Sequence, residues 1–489
     1  MTCPTNQLSL SRRDFLKWTA GAGAAALALP RWAAAAADAP AGRPPNFVHI
    51  VLDDWGYYEA SCMGHPTLQT PNIDRVAKEG MRFTQASAGG PVCAPSRCTL
   101  MTGLHLGHGS VRDNPGGTAI RADEVTLGQV LKAAGYATGG FGKWGIGDRG
   151  TTGVPEKHGF DVFFGYYHQV HAHSFYPNYL LRNSEKVPLP GNTGDLQKGE
   201  TYAQDLIFRE AMNFIRANKA KPFYAYLPWT PPHGAFAIPE TDPAWQKYKA
   251  QPGAESQEKA GLVAKPQAKA GLVRLAMVEM VDRQIGEVLA LLKELGLEDR
   301  TLVLLSGDNG SVPGSYVRDP KTGRVFRGYK GALYEGGLRV FFAARWPGKI
   351  QPGAVSEQVC YFPDILPTFA ELAGAKPPAD IDGLSLVPAL LGEDKAGRKQ
   401  PHHEFLYWEY GNQTAVRMGD WKAVRRTGKN ASGWELYDLR EDIEEAKDVA
   451  KDHADIVAKI DAIATAAHKP AQRGSVLDAE AGFKNHKAT

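Results

Sequence analysis

Apolar residues follow two rhythms along the chain. In Phe47–Leu52 they run almost unbroken and stop at Asp53-Asp54, the pattern of a parallel strand buried on both faces. Shorter runs of the same kind, Tyr136–Phe141, Phe223–Leu227, Thr301–Leu305 and Leu338–Ala344, predict further strands. Between them the period lengthens. Leu275–Leu295 places apolar side chains at 275, 278, 281, 285, 288, 289, 292 and 295 and stops at Gly296, one face of a long helix. Val125–Ala134 before Gly135 predicts another helix, and Asn72–Phe83, with Ile73, Val76 and Ala77 in register, a helix and a following turn. Strands alternating with helices predict an α/β fold: a large mixed, mostly parallel sheet sandwiched by helices.

Beyond Pro388 the rhythm changes. Phe405–Glu409, Thr414–Met418 and Trp421–Arg425 read as short antiparallel strands with Gly419-Asp420 as a turn, and a helix is expected from about Ala450 to Ala467. The expected division is therefore a catalytic domain over 46–388 and a smaller C-terminal α+β subdomain over 389–489. Residues 240–272, rich in Gln, Lys, Ala, Gly and Pro without a period, are expected to form a mobile surface excursion.

The N-terminus reads differently. Ser11-Arg12-Arg13-Asp14-Phe15-Leu16-Lys17 precedes an alanine-rich apolar run from Thr19 to Leu29 and the small residues Ala33–Ala37. This is a twin-arginine signal over 1–37, followed by a linker over 38–45. The run is shorter than the ~20 residues needed to span a bilayer, so no transmembrane anchor is expected. The protein should be periplasmic or secreted, with the twin-arginine translocase as a partner. Of 56 basic and 53 acidic residues, the signal removes Arg12, Arg13, Lys17 and Arg31 against Asp14. The remainder is balanced, which leaves no electrostatic footprint for nucleic acid. Cys3, Cys62, Cys93, Cys98 and Cys360 make no disulfide framework.

Chemistry gathers at strand ends. Asp53, Lys143, His233 and Asp308 each follow a predicted strand, where open α/β sheets bind ligands. Asp53, Asp54, Asp308 and Asn309 offer hard oxygen donors, which suit Ca²⁺, or Mg²⁺, better than zinc. In Pro91–Gly103, Pro95 suits the first turn of a helix, which sets Cys93 beside the helix N-terminus and Arg97 on the same side. Lys143 lies among the glycines of Gly142-Lys143-Trp144-Gly145-Ile146-Gly147, and His233 ends the rigid Thr230-Pro231-Pro232-His233 turn.

Cys93-Ala94-Pro95-Ser96-Arg97, followed by Thr102-Gly103, resembles the signature of the type I sulfatases of the alkaline phosphatase superfamily. Lys330–Val340 resembles a second signature of that family and Trp434–Leu439 its closing one; the resemblance spans about 44–440. It implies an alkaline phosphatase-like fold and hydrolysis of a sulfate monoester, on a sulfated small molecule and foremost a saccharide. It implies that a formylglycine-generating enzyme oxidises Cys93 to formylglycine, whose hydrate attacks sulfur with one hydroxyl and expels sulfate with the other. Asp53, Asp54, Asp308, Asn309 and the modified Cys93 would hold calcium. Lys143 and Lys330 would contact the ester, Arg97 would steady the nucleophile, and His233 would protonate the leaving group.

One departure stands out. The family commonly has a histidine two residues after the lysine, contacting the formylglycine; here that position is Gly145. His171 and His173, on one side of an expected extended segment, are the candidates to compensate or to bind substrate, with His105 and His108 behind them. The aromatics of Phe163–Tyr179 suit either core or a sugar platform. Two other readings stay open: a phosphonate monoester or phosphodiester hydrolase of the same superfamily, and a non-enzymatic calcium- or glycan-binding degenerate member.

Overall fold

The apolar runs become neighbouring strands of one sheet. The computed structural model describes residues 43–115, 118–250 and 265–477; the expected export signal and the first residues of the linker lie outside them. The strands are β1 (Asn46–Leu52), β2 (Met81–Phe83), β3 (Ala86–Ser87), β4 (Ala137–Lys143), β5 (Val162–Tyr166), β6 (Tyr179–Arg182), β7 (Glu185–Pro188), β8 (Phe223–Trp229), β9 (Thr301–Gly307), β10 (Phe342–Arg345), β11 (Ala354–Ser356), β12 (Cys360–Tyr361), β13 (Leu406–Tyr410), β14 (Gln413–Met418), β15 (Trp421–Arg426) and β16 (Glu435–Asp438). Ten of them form the main sheet in the order β11-β2-β10-β9-β1-β8-β4-β5-β6-β7. Its centre, β9-β1-β8-β4-β5, is parallel throughout. β10, β6 and β7 join antiparallel.

Both faces of the sheet are covered, which is why its central strands read as continuous apolar runs. Val48, Ile50 and Leu52 of β1 pack with Ile207, Ile215, Val281 and Leu289 of the helices Ala203–Ala217 and Lys265–Glu294. Phe47 and Val51 point the other way, into a core shared with the helices Cys93–Thr102, Leu127–Ala133 and Ile365–Leu372. Helix Leu127–Ala133 starts with a capping box, the Thr126 hydroxyl accepting from Gln129 N. Among the described residues no helix is long and apolar enough to cross a membrane.

Three expectations about local structure are corrected. The run Leu338–Ala344 is not one strand: Glu335–Leu338 makes a helical turn, closed by the i,i+4 ion pair of Glu335 with Arg339, and β10 begins only at Phe342. Within 240–272, Pro243–Lys249 is a helix capped by the Asp242 side chain, and the long helix already begins at Lys265. The short helix shows no apolar period because two side chains, Trp245 and Tyr248, carry most of its burial while Lys247 pairs outward with Glu279 at 2.7 Å. The segment Asn72–Phe83 ends in strand β2 rather than in a turn.

Strands β13–β16 form a separate antiparallel sheet. Leu406, Trp408, Ala415, Val424 and Tyr437 on one face pack against Leu333, Tyr334, Leu338 and Tyr361. Tyr407, Val416, Ala423 and Leu436 on the other meet Ile460, Ala464 and Ala467 of helix Ala454–Ala467. The sheet is pinned by charge as well. Fully buried Lys422 lies 2.8 Å from Glu335 Oε1 and 2.9 Å from Glu445 Oε1. Removing one partner of a buried ionic network leaves uncompensated charge, at a cost of about 3–5 kcal/mol. Lys422→Ala is therefore expected to lower the unfolding free energy measured by urea titration by about 3–5 kcal/mol, while a surface control, Lys459→Ala, leaves it unchanged.

Candidate active site

The carboxyl ends of four adjacent parallel strands define the site. β1 delivers Asp53 and Asp54, β9 delivers Asp308 and Asn309, β8 delivers His233 on the Thr230–His233 turn, and β4 ends on Lys143 itself. A Cβ at Gly142 would lie 2.1 Å from the Pro228 carbonyl oxygen, so glycine is what lets β4 run against β8 just before Lys143. Asp54 adopts a positive φ of 61°, a left-handed conformation uncommon for any residue with a side chain but tolerated better by Asp than by most. It is held there by its N–H, which donates to Asp308 Oδ1 at 3.1 Å, and by Arg274 Nη2, which donates to its carbonyl at 2.8 Å.

Helix Cys93–Thr102 abuts these strand ends and is buried at every residue. Cys93 is its first residue, and Ala94 N donates to Asn114 Oδ1 at 3.2 Å, satisfying one of the free N–H groups of the first turn. The Cys93 thiol donates to Asp53 Oδ1 at 3.2 Å. Lys143 Nζ donates to Asp53 Oδ2 at 2.5 Å. Arg97 grips Asp308 Oδ2 through Nε at 3.1 Å and Nη2 at 2.8 Å, stands 3.5 Å from Asp53, and donates through Nη1 to the Lys143 carbonyl at 2.6 Å. On the outer side Lys330 Nζ lies 2.6 Å from Asp54 Oδ1 and 3.3 Å from His233 Nε2, itself 3.4 Å from Asp54 Oδ2. His233 Nδ1 donates to the Gly234 carbonyl. The donor atoms of Asp53, Asp54, Cys93 and His233 all lie within 4.8 Å of one another.

Charge is tightly balanced. Burial alone would raise the Asp53 carboxyl, yet Lys143, His233, Arg97 and Lys330 together hold it well below its ordinary value. Burial likewise opposes the ionised Asp54, but His233 and Lys330 win and lower it. Burial and the neighbouring Asp53 push Asp308 up to about 6. Burial and Asp53 push the Cys93 thiol up to about 12, so the helix N-terminus does not make it a thiolate. Asn309 Nδ2 donates to Asp54 Oδ1 at 3.0 Å, while its Oδ1 is buried without a hydrogen-bond partner. A carbonyl oxygen left open beside three buried carboxylates is the donor set of a hard divalent cation.

Cys93, Arg97, Lys143, His233, Lys330, Asp53, Asp54, Asp308 and Asn309 are thus brought together. His173 joins them: its ring stacks on that of His233, 4.3 Å between centroids and 15° between planes. The segment is a tight helical turn, His171–His173, not extended, so the two side chains part. His171 turns toward Tyr166 and Tyr179 instead. His105 and His108 lie past the far end of the Cys93–Thr102 helix, about 15 Å of helical rise away, where His108 Nδ1 meets Asp382 at 2.9 Å and His105 leans on Tyr407. They take no part at Gly145. Two supporting residues carry no sequence motif: Asn114 and Arg274.

Residues 45–375 match the family model described as sulfatase, residues 327–467 that of the N-sulphoglucosamine sulphohydrolase C-terminal region, and residues 9–29 that of the twin-arginine translocation signal sequence, which marks the chain for export. N-acetylgalactosamine-6-sulfatase of Rattus norvegicus is 32% identical over 430 residues, covering 82% of this chain and 74% of the relative. Arylsulfatase A of Homo sapiens is 33% identical over 432 residues, covering 80% and 76%. The solved structure of Ps i-CgsB in complex with k-i-k-neocarrahexaose superposes with a TM-score of 0.71 at 26% identity, covering 87% of this chain and 93% of that one. A family match across most of the chain, and relatives at about a third identity that share most of its length, establish that it belongs to the type I sulfatases, hydrolases of sulfuric esters.

Proposed function

We propose that this enzyme hydrolyses sulfate monoesters of a carbohydrate, using a formylglycine made from Cys93 and a calcium ion held by Asp53, Asp54, Asp308, Asn309 and residue 93. The observation that carries the reading is the meeting of Cys93, at a buried helix N-terminus, with four oxygen-donor residues, the buried Lys143 and the half-buried Lys330. The open Asn309 Oδ1 supports a cation at that place. A saccharide substrate is supported by the relative that acts on N-acetylgalactosamine-6-sulfate by name and by the saccharide held by Ps i-CgsB.

The calcium would supply Lewis acidity to an ester oxygen, and the formylglycine a nucleophilic hydroxyl. The rest is the work of the chain. Lys143 beside Asp53 and Lys330 beside Asp54 present ammonium groups that bind the anionic ester. Arg97 keeps Asp308 fixed and, through the Lys143 carbonyl, the end of β4. His233 Nε2 faces Lys330 and Asp54 across the mouth of the site, where a proton can pass to a departing oxygen. The His173 ring holds the His233 plane from behind.

Three outcomes are expected. First, the peptide containing Cys93 shows by mass spectrometry the loss of H₂S and gain of oxygen that formylglycine requires, and Cys93→Ala abolishes turnover of an aryl sulfate; full activity with an intact thiol overturns the reading. Aryl sulfate should also turn over faster than the matching phosphate or phosphonate. Second, elemental analysis finds about one calcium per chain, and Asp54→Asn loses both metal and activity; stoichiometric zinc in a fully active enzyme contradicts it. Third, His233→Ala lowers kcat by about 10²–10⁴-fold. His173→Ala lowers kcat less, and His173→Phe, which keeps the stack, restores most of it. An effect of His173→Ala on KM alone would move that residue to the sugar subsite.

A further inference from the structure

Gly145 is where the family pattern has an imidazole, and the space beside it is filled. A Cβ at Gly145 would lie 3.0 Å from Gln169 Oε1, 3.3 Å from Arg97 Cδ and 3.9 Å from Lys143 Cε. Gly145 also has a φ of +80°, which side chains rarely adopt. The chain reaches this place by a short extension of the sheet: Trp144 N donates to the Tyr166 carbonyl and Gly145 N to the Tyr167 carbonyl. Gln169 follows two residues later, beyond the end of β5, as Asp53, Asp308 and His233 follow β1, β9 and β8.

Gln169 is 2% exposed, and neither its Oε1 nor its Nε2 has a hydrogen-bond partner. A buried carboxamide with nothing to bond costs a few kcal/mol, about 1–3 by mutational measures. Such a group persists where a ligand completes it. Its chemistry defines that ligand. The anionic ester can only accept hydrogen bonds, and the two nearby cations, Arg97 and Lys143, can only donate them. A carboxamide that both donates and accepts matches a hydroxyl, which also does both. The place lies among the stems of fully buried Arg97 and Lys143, and Arg97 stands about one turn beyond Cys93 on the same helix, which points to the nucleophile as the source of that hydroxyl.

We propose that Gln169 is a positioning residue that takes the place left by Gly145 and holds a hydroxyl of the hydrated formylglycine at position 93. The inference rests on the formylglycine reading above. In the hydrate, water has added across the aldehyde C=O, giving two hydroxyls on one carbon. Gln169 Nε2 donates to one hydroxyl oxygen while Oε1 accepts a hydrogen bond from that O–H, which favours the hydrate over the free aldehyde and orients it. A carboxamide is no base at neutral pH, so the proton leaves by another group; Gln169 contributes geometry.

The test is Gln169→Met in the full-length mature enzyme, a substitution of similar length without hydrogen bonds. Rates are expressed per formylglycine, counted by peptide mass. With 4-nitrophenyl sulfate, which has no sugar hydroxyl, kcat should fall at least about tenfold with KM little changed. Oxime formation by methoxyamine, which consumes the free aldehyde, should become several-fold faster. The thermal midpoint should stay level or rise, because an unpartnered buried amide has been removed. Wild-type oxime and turnover rates in the variant overturn the proposal. So does a loss seen only with a saccharide sulfate, which gives Gln169 to the sugar, or a fall in thermal midpoint that accounts for the lost activity. An active wild-type enzyme with an unmodified Cys93 fails the formylglycine reading itself, and the inference with it.

Discussion

Three carboxylates, Asp53, Asp54 and Asp308, are buried side by side at the ends of two adjacent strands. An isolated buried carboxylate costs several kcal/mol, and three together repel one another. The sheet order is what makes the arrangement tolerable. Because only β8 lies between β1 and β4, Lys143 leaves the sheet two strands from β1 and can reach Asp53. The helix that follows the Pro91-Val92 turn brings Arg97 down onto Asp308. Lys330 closes the outer side against Asp54. The same cations that allow the carboxylates to be buried are the ones an anionic ester would meet, so stability and chemistry draw on one set of charges. Burial, with Asp53 beside it, pushes Asp308 up to about 6 even with Arg97 bound to it.

Much of this was legible along the chain because parallel sheets bury both faces. A continuous apolar run such as Phe47–Leu52 has few other interpretations, and a charged residue directly after it is conspicuous. Asp53, Lys143, His233 and Asp308 were found in that way, before any pairing of strands was known. The helix at Cys93 was legible from Pro95 and from the position of Arg97. What the pattern could not carry was conformation governed by single contacts. The turn at Glu335–Leu338 forms because Glu335 and Arg339 close an ion pair inside the protein, and an apolar run beginning at Leu338 conceals it. The turn at His171–His173 separates two histidines that an extended chain would have kept together.

The residues that were missed share a property. Arg274, Asn114 and Gln169 each act through a backbone or a space belonging to another element: the Asp54 carbonyl, the Ala94 N–H, the gap at Gly145. None is near its partner in sequence, and none belongs to a chemical type that attracts notice alone. At Gly145 the sequence alone points to a histidine as the replacement, because the family pattern has one there. The structure shows a carboxamide instead, reached from β5. A missing side chain in a packed interior is refilled by whatever the fold brings within reach, and that need not be chemically equivalent.

The C-terminal sheet has a share in the site that its position in the chain does not suggest. Lys330 sits on a loop between the main sheet and the helical turn at Glu335. That loop is clamped from β14, where Gln413 Nε2 donates to the Gly331 carbonyl at 2.9 Å and Gln413 Oε1 accepts from Leu333 N at 3.4 Å. A few residues on, Glu335 is anchored by Lys422 of β15. Gly331 N donates back to the Pro91 carbonyl at 2.9 Å, just before the helix that carries Cys93. The Lys330 ammonium therefore owes its place over Asp54 to two strands that contribute no group to the chemistry. A long flexible side chain on an unsupported loop would lose much of its binding energy to conformational entropy. Clamped at both ends, the loop offers its charge already in position, which is how a sheet outside the catalytic core comes to determine how well the core binds an anion.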